Sequence, residues 1–181
     1  MVHTAGLSPQ QASADKVLAV DLLGVALTLD EAAHIQPALD PDVQRQLAET
    51  PTDELLNLDV CKAITDSRLA YPFAKRANQT RVAAAASAWG LRGARINCIS
   101  PGVISTAMGR LELSGESGGL MRTMVDNAGV RRIGTPEDIA AATEFLLGPG
   151  AAFITGVDLL VDDGVIAAIQ TGTVDLAAAV G

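Results

Sequence analysis

Tyr71 is the only tyrosine of the chain, and it stands four residues before Lys75, one of three lysines. On a helix that offset puts both side chains on one face. A phenol has a reference pKa of about 10, so proton exchange near neutral pH requires lowering it by roughly 3 units, or about 4 kcal/mol. An ammonium ~5 Å away at an effective dielectric near 20 supplies on the order of 3 kcal/mol. The pair therefore has the makings of a general acid/base with its own electrostatic support. The plain alternative is a Tyr/Lys pair decorating a solvent face.

The element that must carry the pair is readable. Residues 67–89 are Ala-rich, with Val82, Ala85, Ala86 and Trp89 on one stripe and Gly90 as a C-terminal stop, which predicts a long helix. Residues 94–99 have the length of a buried strand, and Ser100-Pro101-Gly102 breaks it. Upstream, Leu18, Leu22, Val25 and Leu29 predict a helix over 13–30. The polar stretch 36–66 follows, with Asp40-Pro41 and Thr50-Pro51 as starts of short surface helices. Downstream, the Gly/Ser-rich run 114–119 sits among Leu111, Leu113, Met121 and Met124 and predicts a mobile flap with an apolar lining. Thr135-Pro136-Glu137-Asp138 opens a helix with a capping box, and Gly148-Pro149-Gly150 closes it. A second strand is expected over 157–161 as the last ordered element, with a loose tail after Gln170. No internal repeat is visible.

Composition narrows the function. The chain has 181 residues, of which 49% are hydrophobic and 19% charged, enough for one domain over 1–181 with a real core. A net charge of −8 with only 13 Lys and Arg argues against nucleic acid. Cys61 and Cys98 lack metal or redox spacing, which fits a reducing cytoplasm. His3 and His34 are the only histidines and belong to no ligand-spaced cluster, so no metal is expected. Apolar stretches are cut by Asp21, Asp158, Asp162 and Asp163 well short of the ~20 residues needed to span a membrane.

Five motifs in order resemble the short-chain dehydrogenase/reductase family. Tyr71-Pro72-Phe73-Ala74-Lys75 is similar to its Tyr-x-x-x-Lys, and Asn97-Cys98-Ile99-Ser100-Pro101-Gly102 to its Asn-x-x-x-Pro-Gly turn. His3-Thr4-Ala5-Gly6 resembles its Asn-Asn-Ala-Gly motif, and Val161-Asp162-Asp163-Gly164 its terminal Val-Asp-Gly-Gly. Ile104 and Thr106 fall on its nicotinamide-contacting positions. The likeness spans nearly the whole chain, and members such as 3α-hydroxysteroid dehydrogenase and carbonyl reductase look nearest. It implies an α/β fold, a Rossmann-like doubly wound parallel sheet, here incomplete, with a helical insertion at about 36–66. It implies NAD or NADP as cofactor, a secondary alcohol or ketone as substrate, and a homo-dimer or homo-tetramer. Tyr71 would be the general acid/base, and Lys75 would support it and bond the nicotinamide ribose. Pro101, Gly102, Ile104 and Thr106 would hold the nicotinamide end, with Ala5 and Gly6 on the adenosine side. Local readings of the same residues stay open: Pro-Gly ends many strands, Thr106 suits a helix cap, and Ala5-Gly6 suits a turn.

The chain also departs from that pattern. No Gly-rich dinucleotide loop follows a first strand, so the amino-terminal cofactor half and its first βαβ units are expected to be missing. No buried strand carrying the catalytic serine is expected near 31–35, and Ser67 reads as a helix cap instead. The family's helix asparagine falls at Asp21, and Pro72 follows the tyrosine directly. Helices would then keep apolar stripes with little sheet beneath them. The second reading is accordingly a non-catalytic remnant that binds partners or copies of itself through the helix faces 18–29 and 77–89.

Overall fold

The computed structural model describes residues 13–18, 34, 38–115 and 118–174. Within it the long helix α4, Ser67–Gly90, is the spine. Its first turn is capped by Asp66, whose carboxylate accepts from the Arg68 N–H at 2.9 Å, so Ser67 is the first helical residue and not the cap. Pro72 lies in the second turn, where it removes one donor, and the helix continues through it.

Short elements precede the spine among the described residues: α1, Ala14–Leu18; α2, Pro41–Glu49; a 3₁₀ turn, Thr52–Asn57; and α3, Asp59–Lys62. Asp40 caps α2 by accepting from the Asp42 N–H at 2.8 Å, with Pro41 in the first helical position. The 3₁₀ turn starts one residue later than Thr50-Pro51 suggested, with Pro51 as its flanking residue. These pieces are not surface decoration. Leu47 and Leu55 are fully buried and join Leu18, Cys61, Ala70, Phe73 and Ala74 in the largest apolar cluster. Arg81 of α4 fastens the end of α2 by donating to the carbonyls of Leu47, 2.8 Å, and Thr50, 3.2 Å, and to the Thr52 hydroxyl, 2.9 Å. A guanidinium thus satisfies last-turn carbonyls that have no partner inside their own helix.

The sheet described here has two parallel strands, β1 (Cys98–Pro101) and β2 (Asp158–Val161), with Cys98 opposite Asp158 and Pro101 opposite Val161. A parallel pair needs a crossover. It is supplied by α5 (Ala107–Ser114), α6 (Gly118–Asn127), α7 (Pro136–Leu147) and a 3₁₀ turn, Pro149–Ala151. Successive β1 side chains point to opposite faces. Cys98 packs with Val82 of α4, whereas Ile99 packs with Leu146 of α7, Ala151 and Leu159. Helices therefore cover both faces of the pair, as in an incomplete Rossmann-type layer. β1 is displaced from the expected 94–99 because the preceding residues bond irregularly: Asn97 donates to the Ile154 carbonyl at 3.1 Å and accepts from the Val157 N–H at 3.2 Å.

Three further expectations are corrected. The last element among the described residues is a helix, α8 (Val165–Gln170), held by Asp162, whose carboxylate accepts from the N–H groups of Gly164 and Ile166; the tail from 175 on lies outside the described residues. Of the run 114–119 expected to form a mobile flap, Ser114 closes α5 and Gly118 and Gly119 open α6, while residues 116–117 lie outside the described residues. Met124 is buried against Ala128, Val165 and Ile166, so it fills core and does not line a lid. Of the oligomer face expected at 77–89, Ala77 and Val82 are buried within the chain, while Trp89 is exposed, as are Phe145, Leu147 and Phe153 elsewhere.

Gly109 of α5 sits against the turn that leaves β1. A Cβ there would overlap the Ile104 carbonyl oxygen. In an unconstrained helix Gly→Ala gains roughly 0.5–1 kcal/mol. Here Gly109→Ala is expected to destabilise the chain by about 1–3 kcal/mol, because backbone must move to admit the methyl group. Urea denaturation checks the sign.

Candidate active site

Tyr71 and Lys75 do lie on one face of α4, and both are buried, at 8% and 3% exposure. The Lys75 Nζ stands 5.1 Å from the centroid of the Tyr71 ring, a cation–π distance. Two contacts fix where the pair sits along the strand. Val82 packs on Cys98, and Gln79 donates to the Ser100 hydroxyl. Going back along α4 thus goes forward along β1, so helix and strand run antiparallel. At 1.5 Å per residue, Lys75 lies ~6 Å and Tyr71 ~12 Å beyond the level of Gln79, past the carboxyl end of β1.

The turn after β1 begins at that same end. Gly102 N–H donates to the Val161 carbonyl at 3.0 Å, which extends the ladder one step. Gly134 then clamps the turn by donating to the Val103 carbonyl at 2.9 Å and accepting from the Ser105 N–H at 2.8 Å; a Cβ at Gly134 would meet the Ile104 side chain at 2.5 Å. Thr106 caps α5, its hydroxyl accepting from the Gly109 N–H at 3.0 Å, which leaves its own proton to donate. A partly open cavity of about 130 Å³ flanks the turn and is lined by Gly102, Val103, Ile104, Met124, Arg132 and Asp162. Tyr71 and Lys75 do not line it. On its rim Arg132 makes two bonds to Asp138, 2.7 and 2.8 Å, and holds that carboxyl well below the usual carboxylate range. Ala5, Gly6 and Asp21 lie outside the described residues. Among the described residues no metal-type cluster occurs, and no helix is long and apolar enough to cross a membrane.

A polar group that sequence reasoning missed lies between α4 and the strands. The Asp158 carboxylate accepts from the Ser100 hydroxyl at 2.9 Å and from Gln79 Nε2 at 3.1 Å, and His34 Nε2 lies 2.6 Å from it. Gln79 Nε2 is also 3.2 Å from Ser100 Oγ and 3.0 Å from His34 Nε2. Gln79 Oε1 accepts from Arg76 at 3.2 Å, which orients the amide with its NH₂ toward the strands. With its proton on Nε2, His34 donates to Asp158, so the amide protons go to Ser100 and Asp158. The order Ser–carboxylate–His is not that of a nucleophilic triad, in which the imidazole stands between the other two. The carboxylate also acts on its neighbour Cys98, whose thiol is pushed up by burial and then by Asp158. The one sequence signal was spacing, since 71, 75 and 79 continue the same i, i+4 series.

The layered, helix-covered parallel pair defines an open α/β fold of the Rossmann type. A family model described as enoyl-(acyl carrier protein) reductase matches residues 1–166. A short-chain dehydrogenase/reductase from Alternaria brassicicola is 32% identical over 96% of this chain and 70% of that protein. The D-threitol dehydrogenase of Mycolicibacterium smegmatis is 39% identical over 44% of this chain and 29% of that protein. Among solved structures, the 3-alpha-hydroxysteroid dehydrogenase from Pseudomonas sp. B-0831 complexed with NADH superposes with a TM-score of 0.75 at 29% identity, covering 92% of this chain and 72% of that one. The chain belongs to the short-chain dehydrogenase/reductase family, a family of oxidoreductases.

Proposed function

We propose that this chain is an NAD(P)-linked oxidoreductase that interconverts a secondary alcohol and its ketone, with an apolar carbonyl compound of steroid type as the preferred substrate. One observation carries the reading: a buried tyrosine with an ammonium 5.1 Å from its ring centroid, past the carboxyl end of a parallel strand. Ligands of open α/β sheets bind at that end. The hydroxysteroid dehydrogenase likeness supports the substrate class.

The described residues fit the nicotinamide end of such a cofactor. Lys75 would bond the ribose, the backbone of 101–106 would seat the ring, and the free proton of the Thr106 hydroxyl would meet the carboxamide. Ala5 and Gly6 would line the adenosine side, as the family resemblance implies. The dinucleotide supplies or accepts the hydride. The Tyr71 hydroxyl gives a proton to the substrate oxygen during reduction and takes it back during oxidation. Lys75 favours the charge that develops on the phenol when the proton leaves, because its ammonium lies over the same ring, 5.1 Å from the centroid, and opposite charges at such range in a partly dry site attract. The buried setting keeps bulk water from screening that interaction. The exposed Trp89, Phe145, Leu147 and Phe153 support self-association as a homo-oligomer.

The test is titration of the purified chain with NADH and NADPH, followed by the melting temperature and by nicotinamide fluorescence. A ligand that binds only the folded state at 100 times its Kd adds about 2.7 kcal/mol, a shift of several degrees. If neither cofactor moves the melting temperature or the fluorescence, the oxidoreductase reading falls.

A further inference from the structure

We infer that Gln79 is a positioning residue for Tyr71 and Lys75: it pins the rotation of α4 over the strand pair by bridging Ser100 of β1 and Asp158 of β2. The inference rests on the proposed role of Tyr71 and names the part of the fold that aims it. Gln79 stands one turn beyond Lys75 and two beyond Tyr71, on the same side of the helix, and all three are buried. Its amide reaches both strands at once, at 3.2 Å to Ser100 Oγ and 3.1 Å to Asp158 Oδ2. It cannot relax toward α4, because Arg76 holds its carbonyl oxygen at 3.2 Å. Ser100 is itself fully buried and directs its proton to Asp158. His34 closes the remaining side of the carboxylate at 2.6 Å.

Apolar packing around this helix does not define its rotation as sharply. Toward the early elements it presents Phe73 and three small residues, Ala70, Ala74 and Ala77, whose methyl groups slide past the facing leucines at little cost. Directional bonds do not slide. A rotation of about 15° about the axis displaces an atom ~8 Å from it by ~2 Å, and a misplacement of 1 Å at a reacting centre can cost ~10²-fold in rate. Arg81 ties the helix to the early elements further along, and the buried amide of Gln79 fixes its rotation over the strands, and with it where the phenol oxygen lies.

The lone tyrosine makes the test direct, since nitration by tetranitromethane reads Tyr71 alone. The full chain is compared with Gln79→Leu, Gln79→Glu and the exchange variant Gln79→Glu/Asp158→Asn, with far-UV circular dichroism to follow folding. Gln79→Glu sets two carboxylates side by side, whereas the exchange variant restores one carboxylate and one amide among the same donors. Gln79→Leu and Gln79→Glu are expected to nitrate at least tenfold faster than the parent, with the exchange variant back within about twofold. In turnover, Gln79→Leu is expected to lower kcat by ~10² and leave KM within about threefold. Parental nitration in both single variants overturns the inference. So does fast nitration in the exchange variant, which would make Gln79 a structural filler. If Gln79→Leu does not fold, the comparison of Gln79→Glu with the exchange variant decides alone. Nitration needs neither cofactor nor turnover, so a chain that ignores NADH and NADPH sinks the oxidoreductase reading without touching this result.

Discussion

Tyr71→Phe is expected to lower the rate of cofactor-linked ketone reduction by about 10³-fold or more while changing cofactor affinity by less than about twofold. The substitution removes one oxygen and keeps the ring. That ring is buried with Phe73, Ala74 and Leu55 in the main cluster, so the fold loses no packing volume. What disappears is the group that exchanges a proton with the substrate oxygen, and general acid/base catalysis is worth ~10²–10⁴. The Lys75 ammonium remains and keeps its place over an aromatic face. Steady-state rates, followed at the nicotinamide absorbance, are set against binding titrations. A fall in affinity with unchanged kcat would assign the hydroxyl a structural role and remove it from the chemistry.

Leu55→Ala carries the second large effect, a loss of about 3–5 kcal/mol of stability. Leu55 belongs to a six-residue 3₁₀ turn in a segment with every outward mark of a surface loop, yet its side chain is fully buried among Leu18, Leu47, Cys61 and the alanines of α4. The alanines of α4 among its neighbours are small and anchored in a long helix, so they cannot close over the void, and the cavity term adds to the lost transfer energy. Urea midpoints at constant m-value report the change. A loss under 1 kcal/mol would show that the segment is only draped on the core.

These two positions also show what was legible. The helix around Tyr71 was readable almost to the residue, because the Ala-rich run and Gly90 are local signals that agree, although its cap is Asp66 and not Ser67. The two central strands were readable in place but not in extent. Asn97 and Thr155 take over backbone partners with their side chains, which no pattern of apolarity shows. The buried leucines of the segment before α4 were illegible for another reason. Elements of four to nine residues are too short to display a 3.6-residue period, and the face that buries them belongs to a helix further along the chain. α8 was missed because six residues resemble a tail, and its anchor, Asp162, was absorbed into a motif. At the site, Tyr71 and Lys75 announce themselves by spacing. The cluster of His34, Gln79, Ser100 and Asp158 does not, since 124 residues separate its ends and only folding makes them neighbours.

The Arg81 clasp has a consequence for biosynthesis. The carbonyl of Leu47 emerges 34 residues before the guanidinium that receives it, and that of Thr50 emerges 31 before. At 5–20 residues per second a ribosome takes roughly 2–7 s to deliver the missing partner. Throughout that interval the helix-end oxygens of the nascent segment must accept their hydrogen bonds from water, and its leucines stay uncovered.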